Sequence, residues 1–145
     1  MRSPAAVHHT GVIAPKAVVL ASALLLVAGC GGKSTLGPKA LQQEATGLQS
    51  LAAEGGILAG DAAHGRSTSV FLRVHAQYLT KAAQASASTL AAGGPAATSL
   101  ANLATNVARD LEGLSHSGSD RAQQRRLAAA LARDAARAGK LGKSA

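Results

Sequence analysis

The chain has 145 residues and a formal net charge of +8 at pH 7, with 15 Lys and Arg against 7 Asp and Glu. Phe71 and Tyr78 are its only aromatic residues, since Trp is absent. This scarcity argues against a nucleic-acid surface that stacks bases on aromatic rings. It also argues against a sugar-binding cleft built on aromatic platforms. A single Cys excludes an intramolecular disulfide bond.

The N-terminal segment has the three parts of an export signal. A weakly basic region that contains Arg2 and Lys16 precedes an uncharged apolar segment, residues 17–28. This segment is shorter than the roughly 20 residues that a helix needs to cross a bilayer. We therefore predict a cleaved signal peptide rather than a permanent membrane span. An ordinary secretory peptide and an uncleaved anchor are the alternatives.

The apolar segment ends in Val27-Ala28-Gly29-Cys30, and this Cys is the only one in the chain. The small-small-Cys pattern resembles the lipobox of bacterial lipoprotein precursors, over the leader and one further residue. The resemblance implies that residues 1–29 are removed as a signal peptide and that the Cys30 sulfur carries a lipid, with acyl chains such as palmitate. Two or more acyl chains anchor a protein stably, whereas one gives only marginal attachment. The implied location is the extracytoplasmic side of the cell membrane.

The part after the leader is predicted to be one domain on a short tether. Residues 30–37 are rich in Gly and lack hydrophobic periodicity, which is typical of a flexible tether. Residues 38–145 are too few for more than one domain. This part is similar to small helical-bundle lipoproteins of no assigned activity, and that similarity implies no function beyond membrane attachment.

Four amphipathic helices are predicted in residues 38–145, because the segment is rich in Ala, Leu, Gln and Arg and poor in β-branched residues. Short loops force neighbouring helices to run antiparallel, so the sequence predicts an all-α, up-down-up-down four-helix bundle. The alternative is a three-helix arrangement with a loose first segment, since Gly55 and Gly56 weaken the first helix. The predicted helices span 38–63, 68–92, 98–114 and 120–140.

Each predicted helix carries an apolar stripe that we expect to face the core. The third helix has the cleanest stripe, with near-heptad spacing, and the second helix has the widest. We expect the whole arc of the second helix to be buried. This arc consists of Val70, Phe71, Leu72, Val74, Tyr78, Leu79, Ala82 and Leu90.

Several titratable side chains fall within or beside these stripes, and a buried charge is costly unless it is paired. His75 is predicted to lie in the buried arc at a height similar to that of Asp110. Lys81 is the predicted partner of Asp134, and Glu44 lies within the first stripe. The structural interpretation is a satisfied core histidine with boundary carboxylates. The alternative is a metal or proton-transfer site centred on His75. No Glu-x-x-His or zinc signature is present, so no metal or cofactor is predicted.

The fourth predicted helix has a dense basic face opposite Leu127 and Leu131. This pattern is typical of a solvated outer surface. The alternative is that this basic face contacts an anionic surface, such as lipid headgroups or an envelope polymer. The candidate contact residues are Arg121, Arg125, Arg126, Arg133, Arg137 and Lys140.

The sequence therefore predicts a lipid-anchored lipoprotein of the cell envelope that acts as a non-enzymatic structural or protein-interaction module. No nucleophile-elbow or phosphate-loop motif is complete in the chain. The expected partners are the membrane, through lipidated Cys30, and an unidentified envelope protein or anionic polymer. No nucleic acid is expected.

Overall fold

The structure, a computed structural model, describes residues 35–145. The predicted all-α four-helix fold is confirmed in this range. The predicted signal peptide, Cys30 and most of the tether lie outside the described residues. The helices are α1 (Pro38–Ala63), α2 (Ser69–Ala92), α3 (Thr98–Ser115) and α4 (Arg121–Lys143), with a short 3-10 turn at Pro95–Ala97 before α3.

The four helices pack as two close antiparallel pairs. Helix α1 runs along α4 and α2 runs along α3, whereas α1 touches α2, and α3 touches α4, less extensively. Helices α2 and α4 therefore stand diagonally opposite each other. Leu and Ala side chains from all four helices fill the core, and burial of each Leu contributes roughly 1.5–3 kcal/mol. Its largest fully buried apolar members are Leu48, Leu79, Leu90, Val107, Leu111, Leu114 and Leu131.

Gly55 allows α1 to lie close to α3 and α4. Helix α1 is continuous through Gly55-Gly56, so the glycines do not break it. A Cβ atom at Gly55 would lie 2.5 Å from Cδ2 of Leu111 and 3.2 Å from Cδ1 of Leu131. Both leucines are fully buried and have little room to move away. The cost of glycine in helix propensity is thus offset by the close approach of three helices.

Side-chain caps begin α2 and α4, and a glycine turn follows α2. The Thr68 hydroxyl accepts a hydrogen bond from the Phe71 N–H, and the Asp120 carboxylate accepts one of 2.9 Å from the Gln123 N–H. Each side chain satisfies a donor that the first turn of its helix would otherwise leave free. Gly94 has a positive φ of 88°, which favours glycine, and turns the chain from α2 towards α3.

The prediction for the wide apolar arc of α2 was wrong in part. Only a narrow stripe of α2, which includes Leu72, Ala76, Leu79 and Leu90, reaches the core. The other large apolar side chains of the predicted arc are exposed, because α2 packs against only two neighbours and its remaining surface faces outwards. These exposed residues are Val70, Phe71, Val74 and Tyr78.

Candidate functional site

Helix α4 presents a basic outer face, as the sequence predicted. Its buried side consists of Gln124, Leu131, Ala135 and Ala138. The salt bridges found among residues 35–145 join Arg66 to Asp61 and His75 to Glu54, so none involves α4. We call the following six exposed side chains the cationic face of α4. They are Arg121, Arg125, Arg126, Arg133, Arg137 and Lys140.

Two half-buried carboxylates lie where α3 meets α4. Burial raises the pKa of Asp110, although the nearby Arg109 and Arg133 guanidinium groups oppose the shift. Burial also raises the pKa of Asp134, and the negative charge of Asp110 raises it further, against the opposing charges of Arg137 and Arg133. The two carboxylates are therefore close enough to repel each other.

The predicted ion pair between Asp134 and Lys81 is not formed. Lys81 is exposed and lines a shallow groove between α2 and α3, together with Glu112 and His116. The charges that act on Asp134 are instead those of Asp110, Arg137 and Arg133. The sequence identified the boundary carboxylates, but helix periodicity alone did not indicate which neighbouring helix each one faces.

His75 lies at the edge of the bundle rather than in its core, and its side chain is 31% exposed. Its Nε2 atom lies 2.7 Å from Oε1 of Glu54 on α1, a carboxylate that the sequence analysis did not single out. The ring stacks on Phe71 with the two centroids 5.3 Å apart, and the centroid of the Tyr78 ring lies 6.3 Å from that of His75. Within residues 35–145, no group of three or more His, Cys, Asp or Glu side chains is placed to hold a metal ion.

Glu44, the carboxylate predicted within the first stripe, is half-buried in α1. Its Oε2 atom accepts a hydrogen bond of 3.2 Å from the Ser86 hydroxyl of α2. This contact and the Glu54–His75 pair both link α1 to α2. Two polar contacts therefore join the helix pairs at this boundary.

A small polar cavity lies at the end of the bundle where the α1–α2 and α3–α4 loops meet. Its volume is about 180 Å³, and Arg121, Ser67 and Gln124 contribute to its wall. Gln124 is 2% exposed, and its Nε2 donates a hydrogen bond of 2.9 Å to the Gly118 carbonyl. Its Oε1 atom and the Ser67 hydroxyl have no hydrogen-bond partner in the described structure. Sequence reasoning missed this cavity, although a Gln seven residues before Leu131 marked a polar position in the apolar stripe.

Cys30, the predicted lipidation site, lies outside the described residues. No helix within residues 35–145 is both long and apolar enough to span a bilayer. Comparison of the chain with protein families, with curated proteins and with solved structures gives no match. The features that bear on function are therefore the sequence Val27-Ala28-Gly29-Cys30, the cationic face of α4 and the exposed side of α2.

Proposed function

We propose that the chain is the precursor of a lipid-anchored lipoprotein of the cell envelope. In this account the signal peptide is removed before Cys30, and the Cys30 sulfur carries the lipid. The observation that carries the proposal is Val27-Ala28-Gly29-Cys30, placed at the end of an apolar segment too short to remain as a span. The only thiol of the chain stands at the position where lipidation requires one.

The folded part acts in this account as a non-enzymatic structural or protein-interaction module at the extracytoplasmic side of the membrane. Residues 35–145 belong to one compact unit with its own hydrophobic core. The chain enters this unit next to the end of α2, because the Leu36 N–H donates a hydrogen bond of 3.0 Å to the Gly93 carbonyl. An anchor at Cys30 would therefore hold the unit within a few residues of the bilayer surface.

Cell fractionation tests the anchoring directly. Wild-type protein is expected in the membrane fraction and should resist extraction with high salt but not with detergent. The Cys30→Ala variant should leave that fraction or remain as an unprocessed precursor. A Cys30→Ala protein that is processed and membrane-bound like the wild type would overturn the proposal.

A second candidate function is binding of anionic envelope material through the cationic face of α4. Two observations favour it: all six side chains of this face are exposed, and none forms a salt bridge among the described residues, with Asp110 and Asp134 the carboxylates near Arg133 and Arg137. Clustered cations that keep their charge attract polyanions, and salt weakens the attraction. The probe is long-chain polyphosphate, added to the chain that begins at Cys30.

A matched pair of variants distinguishes binding through the cationic face of α4 from binding that depends only on net charge. Binding to polyphosphate should weaken steeply with salt. It should be lost when four cations of the α4 face are changed to Gln (the first variant) but largely retained when four cations elsewhere are changed (the second variant). Equal losses in both variants would assign the binding to overall charge and remove this candidate. The first variant changes Arg125, Arg126, Arg133 and Arg137 to Gln, and the second changes four exposed cations of other helices to Gln: Lys39, Arg73, Lys81 and Arg109.

A further inference from the structure

The outer side of α2 exposes apolar side chains that the core does not use. Four residues, each 56–67% exposed, recur along the first half of the helix at intervals of one, three and four positions. They include the only Phe and the only Tyr of the chain. A contiguous apolar patch on a soluble surface marks a contact site more often than a stability element. We call Val70, Phe71, Val74 and Tyr78 the aromatic face of α2.

The rings of this face lie next to the His75 ring. The His75 ring is nearly parallel to the Phe71 ring, with an interplanar angle of 10°, and is tilted by 30° from the Tyr78 ring. The hydrogen bond of His75 to Glu54 fixes the ring from the α1 side. Side chains that are ordered before binding lose less conformational entropy when a partner covers them.

The charges around the aromatic face favour an anionic partner. Helix α2 carries the exposed cations Arg73 and Lys81 and contains no Asp or Glu. The nearby carboxylates of α1 each have a partner: Glu54 lies within hydrogen-bond distance of His75, and Asp61 forms a salt bridge with Arg66. Exposed aromatic and aliphatic groups bordered by Lys and Arg are typical of helices that lie in the interface of an anionic bilayer.

We infer that the aromatic face of α2 docks on an anionic lipid bilayer, with the rings at the level of the headgroups and the axis of α2 roughly parallel to the membrane plane. The inference rests on the proposed anchoring through Cys30, because four surface side chains bind a bilayer weakly on their own. A tether to the same membrane raises the local concentration of lipid and makes such weak contacts persist.

The point where the chain enters the bundle constrains this orientation. The chain enters the bundle beside Gly93, at the C-terminal end of α2, whereas the aromatic face spans positions 70–78. At about 1.5 Å per residue, the face lies roughly 20–35 Å from that end. Contact at both places lays α2 along the membrane. Helix α4, diagonally opposite, then turns its cationic face away from the lipid.

Tryptophan fluorescence tests the docking, because the chain contains no Trp and only one Cys. The chain that begins at Cys30 is coupled through its thiol to maleimide lipids in vesicles of 70% phosphatidylcholine and 30% phosphatidylglycerol. A Trp is placed either in the aromatic face, as Phe71→Trp, or on the exposed side of α4, as Ala129→Trp. Lipids brominated on their acyl chains quench a Trp that reaches the interface.

The expected result is a blue shift and quenching of the Trp in Phe71→Trp, with neither effect in Ala129→Trp. Quenching in Ala129→Trp alone, or in neither protein, would overturn the docking. So would a blue shift of Phe71→Trp that needs no lipid and grows with protein concentration, since a second copy would then cover the face. Chemical coupling makes this result independent of natural lipidation, which only the fractionation of wild-type protein tests.

Two charge variants of the Phe71→Trp protein distinguish docking through the aromatic face from an effect of net charge. Val74→Glu places a carboxylate within the aromatic face, and Asn102→Glu adds the same charge to the exposed side of α3. Val74→Glu should abolish the quenching, whereas Asn102→Glu should leave it within about twofold. Equal effects of the two variants would contradict docking through this face. Circular dichroism of each variant checks that the helices remain folded.

Discussion

The Nε2 atom of His75 lies 2.7 Å from Oε1 of Glu54, and this contact joins α2 to α1 along the less tightly packed boundary between the two helix pairs. The contact shows which way α2 faces. With His75 at the α1 boundary, Leu72 and Leu79 point into the core, while Phe71 and Tyr78 are left at the surface.

Adjacent substitutions in α2 test this orientation. Leu72→Ala should lower the free energy of unfolding by about 2–5 kcal/mol, because it opens a cavity around a side chain that is 2% exposed. Phe71→Ala should lower it by less than about 1 kcal/mol, because most of that ring is already in solvent. Urea unfolding followed by circular dichroism measures both. A larger loss for Phe71→Ala than for Leu72→Ala would contradict the observed face of α2.

Gly55 should be the glycine of α1 that does not tolerate a side chain. Gly55→Ala gains helix propensity but forces a Cβ atom against Leu111 and Leu131, so we expect a net loss of about 1–3 kcal/mol of stability. Gly47→Ala is the matched control, because no neighbouring atom lies within 4 Å of its added Cβ. It should stabilise the protein by up to about 1 kcal/mol. Thermal melts that show a stabilised Gly55→Ala protein would refute the close approach of these helices.

The raised pKa values of Asp110 and Asp134 predict a pH-dependent cost. Each folded-state carboxyl binds its proton more tightly than in the unfolded chain, so its contribution to stability falls as the pH rises through the raised pKa. Asp134→Asn should therefore raise the unfolding midpoint in urea at pH 7, and this advantage should shrink as the pH falls towards the ordinary Asp value of 3.8. An advantage that is absent at pH 7, or that does not vary with pH, would contradict the assignment.

The same two carboxylates should be energetically coupled. Asp110→Asn removes a negative charge that contributes to the raised pKa of Asp134. The double variant should therefore gain less stability than the sum of the two single variants. Strict additivity across the double-mutant cycle would indicate that the two groups do not interact.

The Glu54–His75 pair should contribute little to stability, in spite of its short distance. Both side chains remain partly exposed, at 51% and 31%, so solvent screens their attraction. The coupling energy from Glu54→Gln, His75→Gln and the double variant should be below about 1 kcal/mol. A coupling of several kcal/mol would indicate that the boundary between α1 and α2 is more desolvated than these exposures imply.

Helix type and number followed from the sequence because Leu spacing and turn residues are local signals. In the structure, Thr68 and Asp120 cap the starts of α2 and α4, and Gly94 lies in the turn that follows α2. The partners of His75 and Asp134 did not follow, because helix periodicity places a residue on a face without indicating which neighbouring helix that face meets. The predicted buried arc of α2 was also too wide. The sequence cannot distinguish an apolar side chain that faces the core from one that lies on the surface.

Lipidation of Cys30 is tested most directly by the mass of the N-terminal peptide of the protein isolated from producing cells. We expect a peptide that begins at Cys30 and carries a diacylglycerol on its sulfur, recovered from membranes. An acyl-free polypeptide in the culture medium, beginning at another residue, would contradict the account.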